Sequence, residues 1–111
     1  MDKHKYEESK LQMRRGMIEF STLIIIARGE VYASDILKEL KEADLIVVEG
    51  TLYPLLSRLK SEGLLDYDWK ESSAGPPRKY YTLTAAGKEK LIQMKTTWKS
   101  LVESITTLIH N

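Results

Sequence analysis

Apolar residues recur along this chain with a helical period in four places and are interrupted by one polar, turn-rich stretch. Between Leu11 and Arg28, the residues Met17, Ile18, Phe20, Leu23, Ile24, Ile25 and Ile26 are apolar. That is too many for a one-sided helix and predicts a single helix over 11–28, buried on more than one face and ended by Gly29. A second helix is expected from Ala33 or Ser34 to Ala43, with Ile36, Leu37 and Leu40 inward. Leu45–Val48 then forms a connection compatible with extended backbone. Leu52, Leu55, Leu56 and Leu59 stand at i, i+3, i+4 and i+7, one apolar stripe of a third helix that Gly63 stops. Pro54 fits that helix only in its first turn, so the helix should begin near Gly50 or Thr51.

Two β-prone runs follow, Leu64–Trp69 and Lys79–Leu83, around Ser72-Ser73-Ala74-Gly75-Pro76-Pro77-Arg78. Gly75, Pro76 and Pro77 predict an irregular tip. Thr84 is a fitting N-cap for a last helix running to about Ile109, with Gly87 near its first turn. Along it Leu91, Met94, Trp98, Leu101, Ile105 and Leu108 are spaced 3, 4, 3, 4 and 3, an a/d seam that Ile92, Val102 and Ile109 widen. A small domain cannot bury so long a face alone. The expected mate is the same helix of a second copy, giving a homodimer; packing on the first helix is the alternative, and both can hold.

The expected fold is mainly α with a small β-hairpin: a winged helix-turn-helix plus a long C-terminal dimerisation helix. Residues 1–83 would form the DNA-binding part, including the N-terminal helix, and 84–111 the dimerisation helix, in one compact domain overall. That element order implies sequence-specific binding of a double-stranded DNA operator. On the third helix the leucines centre on one side; Gly50, Pro54, Ser57 and Ser61 point the other way, flanked by Tyr53 and Arg58. Small residues let a helix sit close in the major groove, and Tyr53, Ser57 and Arg58 can donate to phosphates or base edges. The helix start, with Thr51, suits a phosphate. Arg78 and Lys79, at the exit of the hairpin tip, suit a phosphate or minor-groove contact. Arg14 and Arg15 are further candidates for the DNA backbone. Plain solvated faces are the bland alternative for each.

Composition narrows the classes. Hydrophobic residues make up 42% and charged residues 30%, ordinary for a soluble globular chain of 111 residues. There are no cysteines, which excludes disulfides, thiolate metal sites and a cysteine nucleophile. The two histidines, His4 and His110, lie near the chain ends, where disorder is expected. No catalytic constellation, metal site or cofactor motif is found, so an enzyme is not expected. A basic start without an apolar run behind it gives no signal peptide, and Leu23–Ala27 is too short to span a bilayer, so a cytoplasmic protein without a membrane partner is expected. The net charge of +1 argues weakly against nucleic acid. Its distribution matters more. Residues 28–49 hold Arg28, Lys38 and Lys41 against Glu30, Asp35, Glu39, Glu42, Asp44 and Glu49, whereas 72–79 hold Arg78 and Lys79 with no acid. The acidic part should face away from a polyanion.

Two blocks, Gly50-Thr51-Leu52-Tyr53-Pro54-Leu55-Leu56-Ser57-Arg58-Leu59 with Glu62-Gly63-Leu64-Leu65, and Pro77-Arg78-Lys79-Tyr80-Tyr81-Thr82-Leu83-Thr84 with Gly87, resemble the PadR family of transcriptional regulators over nearly the whole chain. The resemblance implies a dimeric winged helix-turn-helix, usually a repressor, dimerising through its C-terminal helix. It also implies a response to a small aromatic or phenolic effector in many members. In some small members a Trp of the C-terminal helix lines a flat pore at the dimer interface and stacks on planar drugs. Trp98 matches it, with Met13 and Phe20 as walls and Glu19 as a carboxylate for a cationic ligand; packing in the dimer core is the alternative for Trp98. A winged-helix protein-interaction module without DNA binding remains the competing reading, supported by the near-neutral charge. Operator, effector, regulated genes and the choice between repressor and activator are not written in the chain.

Overall fold

The computed structural model describes residues 2–111. In chain order it contains α1 (Lys3–Met13), α2 (Met17–Ala27), α3 (Ala33–Glu42), α4 (Glu49–Ser61), β1 (Leu65–Ser72), β2 (Gly75–Leu83) and α5 (Ala85–His110). The expected fold class, mainly helical with one antiparallel hairpin, is found.

The helix expected over 11–28 is two helices. After α1 the chain turns through Arg14, Arg15 and Gly16, with the Met17 amide donating to the Arg14 carbonyl at 2.9 Å. Gly16, a poor helix former, weakens a helix at that point. Tertiary contacts complete the break: Arg14 donates to the Asp44 carbonyl at 3.0 Å and Lys10 pairs with the Asp44 carboxylate at 2.6 Å. No residue of α1 is buried, whereas α2 buries Phe20, Thr22, Leu23, Ile25 and Ile26. His4 and His110 both lie in helices, not in disordered ends.

α3 and α4 end in the same way. Asp44 has φ of 59° and Gly63 φ of 78°, and each sits one residue past a helix cap. The Leu45 amide reaches the Leu40 carbonyl at 2.8 Å and the Leu64 amide the Leu59 carbonyl at 3.0 Å. These are Schellman closures, which satisfy the last carbonyls and fix the angle between successive elements. α4 starts at Glu49, earlier than expected, so Pro54 falls at its sixth residue and not in the first turn. The carbonyl that Pro54 leaves without a helical donor belongs to Gly50, which is exposed to water.

The hairpin is longer than the two β-prone runs. Its register pairs Leu65 with Leu83, Tyr67 with Tyr81, Trp69 with Lys79 and Lys70 with Arg78, then slips between Lys70 and Ser72. Gly75, Pro76 and Pro77 are therefore strand, not an irregular tip; the turn is Ser73-Ala74. Proline is admissible because a two-stranded ribbon consists only of edges and the irregularity falls beside it. The hairpin base is tied to the residues before α3 by a bridge between Val31 and Tyr81, whose amides and carbonyls pair at 2.8 and 3.4 Å.

Leu23, Ile26, Ile36, Leu40, Leu52, Leu56, Leu59 and Leu65 are fully buried and join α2, α3, α4 and the hairpin base in one core. α5 enters beside it. Thr84 caps the helix, accepting from the Gly87 amide at 3.0 Å, and donates its hydroxyl to the Gly63 carbonyl at 2.6 Å. A Cβ at Gly87 would stand 2.0 Å from the Leu64 carbonyl oxygen, so only glycine lets the first turn of α5 lie on the end of α4. Beyond Leu91, which is buried, and Met94, which is half-buried, the helix extends away from the core.

Candidate nucleic-acid interface

α4 turns its leucines to the core and leaves Gly50, Thr51, Tyr53, Pro54, Ser57 and Arg58 exposed. The Ser61 hydroxyl donates to the Ser57 carbonyl at 3.1 Å, which keeps that side of the helix smooth. Beside Tyr53 lies a cleft of about 400 Å³, closed by the start of α3 and by the hairpin; Tyr32, Ser34, Tyr53, Trp69, Arg78 and Lys79 are among its walls. The fold thus brings Tyr53, Arg78 and Lys79 together. It adds Tyr32, Ser34 and Trp69, which sequence reasoning missed. Tyr32 and Ser34 carry no local signal. Trp69 did: it is a large aromatic set between Asp68 and Lys70 in the outer half of its strand.

The wing cations are held without being neutralised. Lys79 Nζ lies 4.4 Å from the Tyr67 ring centroid and 5.4 Å from that of Trp69, and the Arg78 guanidinium 4.9 Å from that of Tyr32. Aromatic faces attract a cation but leave its charge available. Among the described residues neither cation forms an ion pair. Lys70 differs: it pairs with Glu30, a hydrogen bond that raises its pKa. With the Tyr32–Tyr80 ring pair at 4.1 Å and the Val31–Tyr81 bridge, this contact fixes the wing against the start of α3. Part of the acidic stretch is engaged within the chain. Glu30 pairs with Lys70, Glu39 with Arg28 and Asp44 with Lys10.

Arg58 also departs from expectation. Its guanidinium donates to Glu19 at 2.9 Å and to Glu62 at 3.0 Å, and these bonds, Glu19 foremost, raise its pKa. Its charge is therefore compensated within the chain. Thr51, Arg58, Arg14 and Arg15 line a separate groove of about 600 Å³ at the α1–α2 turn, with Ile46, Val48 and Leu55 as apolar wall. Of the other α4 candidates, Pro54 and Ser57 remain open to solvent.

A third groove, of about 120 Å³, lies where α2 meets α5; Gly16, Met17, Phe20, Met94, Trp98 and Leu101 line it. The Phe20 and Trp98 rings stand 6.2 Å apart, inclined at 47°. Within the chain, Met13 and Glu19 do not join them. Met13 is 85% exposed at the end of α1, before the break that turns α2. Glu19 is about 100° round the helix from Phe20 and is held by Arg58. Met17 supplies the thioether wall. The seam of α5 is divided: Leu91 belongs to the chain's own core, whereas Trp98, Leu101, Ile105 and Leu108 are exposed, from 46% at Trp98 to 70% at Leu108.

Three helices, a hairpin docked against the second, and a helix whose open face adjoins unpaired wing cations define a winged helix-turn-helix. Residues 22–93 match the transcriptional regulator PadR-like family. The chain is 51% identical to a PadR-like transcription factor from Bacteroides fragilis, covering 91% of this chain and 98% of that one with a TM-score of 0.75. A PadR-like transcriptional regulator from Bacillus cereus is 38% identical over 90% and 98% of the two chains, TM-score 0.79. A transcriptional regulator of Mycobacterium tuberculosis is 29% identical over 94 residues, 85% of this chain and 87% of its own. The chain belongs to the PadR-like family of transcriptional regulators, a family that regulates by binding DNA through its winged helix.

Proposed function

We propose that the protein is a homodimeric repressor that binds a palindromic operator in the cytoplasm and releases it in response to a small aromatic or phenolic molecule. The observation that carries the DNA reading is the cleft beside α4: two cations, no carboxylate among its lining residues, and the hydroxyls of Tyr32, Ser34 and Tyr53. α4 would lie in the major groove, with Thr51, Tyr53, Pro54 and Ser57 against it, and Arg78 and Lys79 at the flanking backbone. Arg58 would reach DNA by leaving Glu19 and Glu62. Arg14 and Arg15 would meet phosphates beyond the start of α4.

Dimerisation is supported by the outer half of α5. Trp98, Leu101, Val102, Ile105, Leu108 and Ile109 form a run of exposed apolar side chains, which a second copy of α5 would cover. The groove beside Phe20 and Trp98 would then be completed by the partner, and a flat ligand in it would alter the spacing of the two α4 helices. Met13 and Glu19 would join that pocket only if the partner's approach rearranges the α1–α2 turn. A gel shift at moderate salt, with duplex from upstream of the protein's own gene against a scrambled duplex, tests the reading. Selective retention of the first is expected. Equal retention or none would favour a protein-interaction module, for which no feature of the cleft speaks.

A further inference from the structure

We infer that Trp69 is a DNA-contacting residue of the wing, packing its indole face on the deoxyribose and base edges of the strand that Arg78 and Lys79 hold. The inference rests on the DNA-binding reading above and adds an apolar anchor to it. Trp69 stands in the middle of β1, across the ribbon from Lys79, and is 61% exposed. Tyr53, 47% exposed, lines the same cleft, and two large aromatic faces left in water on one surface point to a partner that covers them. Trp69 is also already ordered. Tyr67 meets it edge-on, with ring centroids 6.3 Å apart and planes at 89°, and the Lys79 ammonium lies 5.4 Å from its ring. Binding would therefore cost little additional side-chain entropy.

The chemistry of the cleft selects the occupant. Trp69, Tyr53 and Tyr81 give apolar surface; Arg78 and Lys79 give uncompensated positive charge; no lining residue is acidic. A surface that is at once anionic and studded with flat apolar faces matches this, and the sugar–phosphate strand of a duplex is such a surface. Phosphates go to the cations, and the sugar and base edges to the indole.

An apolar contact releases no counterions, so its loss lowers affinity without changing the salt slope, whereas loss of a wing cation flattens that slope. Trp69→Ala should bind operator duplex roughly 30-fold more weakly than wild type, the lower end for two aromatic contacts to nucleic acid, one from each protomer. Its log–log salt line should run parallel to that of wild type. Tryptophan emission should change when wild type binds DNA, and that change should be absent from Trp69→Phe, which keeps a ring and most of the affinity. The inference is overturned if the emission change persists in Trp69→Phe, since it then arises at Trp98. It is equally overturned if Trp69→Ala binds like wild type or flattens the salt line as Lys79→Ala does. A Trp69-dependent emission change on raising protein concentration without DNA would assign the surface to a second copy and overturn it too. If Trp69→Ala fails to fold, judged by thermal melting, the emission comparison with Trp69→Phe decides. Failure of wild type to bind any duplex would sink the DNA reading itself.

Discussion

Replacing Lys79 by alanine should weaken DNA binding most at low salt and progressively less as salt rises. The size of the effect follows from the unpaired state of the side chain, which faces Tyr67 and Trp69 and no carboxylate. Each phosphate contact contributes about 0.9 to the slope of log affinity against log salt. A dimer carries two copies of Lys79, so the variant's line should be flatter by about 1.8. Between roughly 50 and 200 mM salt, a fourfold rise, the deficit of the variant should shrink about 12-fold. Arg78→Ala should behave alike, because its guanidinium rests on Tyr32. Arg58 is the internal contrast: its charge is already matched by Glu19 and Glu62, so Arg58→Gln should alter the slope less. Fluorescence anisotropy of a labelled duplex across a salt series measures all three. Parallel lines for Lys79→Ala and wild type, or equal affinities at every salt, would refute the assignment of these cations to phosphates.

Gly87→Ala should lower the melting temperature although alanine is the better helix former by about 1 kcal/mol. The added Cβ would meet the Leu64 carbonyl oxygen at 2.0 Å, and relieving such overpacking costs about 1–3 kcal/mol; a raised melting temperature would contradict the close approach. Thr22 is fully buried in α2, and its hydroxyl has no partner among the described residues. Thr22→Val should therefore stabilise the fold by about 1 kcal/mol, seen as a higher denaturation midpoint; a clear loss would mean the hydroxyl is satisfied. Leu101→Asp should give folded monomers by sedimentation, because Leu101 lies in the exposed half of the seam, outside the chain's own core; an unchanged dimer would place the interface elsewhere. Planar cationic dyes should quench tryptophan emission in wild type and lose that effect in Trp98→Ala; quenching unaltered by the substitution would leave Trp98 without a ligand role.

Where the chain announced its structure, the signal was local and repeated. The leucines at 52, 55, 56 and 59 identified α4, Thr84 marked the start of α5, and Gly63 the end of α4, because each acts within one helical turn of itself. The break at Arg14–Gly16 was obscured by the apolar run that follows it; what completes it is Asp44, 30 residues on from Arg14. A separation of 39 residues likewise hid the pairing of Arg58 with Glu19, and so the fact that one expected DNA contact is already engaged. Pro76 and Pro77 misled for a different reason. They exclude a central strand, not an edge, and the ribbon here has only edges. Trp69 meets Lys79 through the strand pairing itself, whereas Tyr32 and Ser34 join Arg78 and Lys79 only after α3 and the hairpin have packed together.

In the proposed dimer, two α4 helices meet one duplex together. Hydroxyl-radical footprinting of the region upstream of the gene tests it most directly. Two protected segments are expected, related by inverted symmetry and centred about one helical turn, roughly 34 Å, or a multiple of it, apart. Both should fade together in Lys79→Ala as salt is raised. A single unpaired footprint, or uniform protection indifferent to sequence, would contradict it.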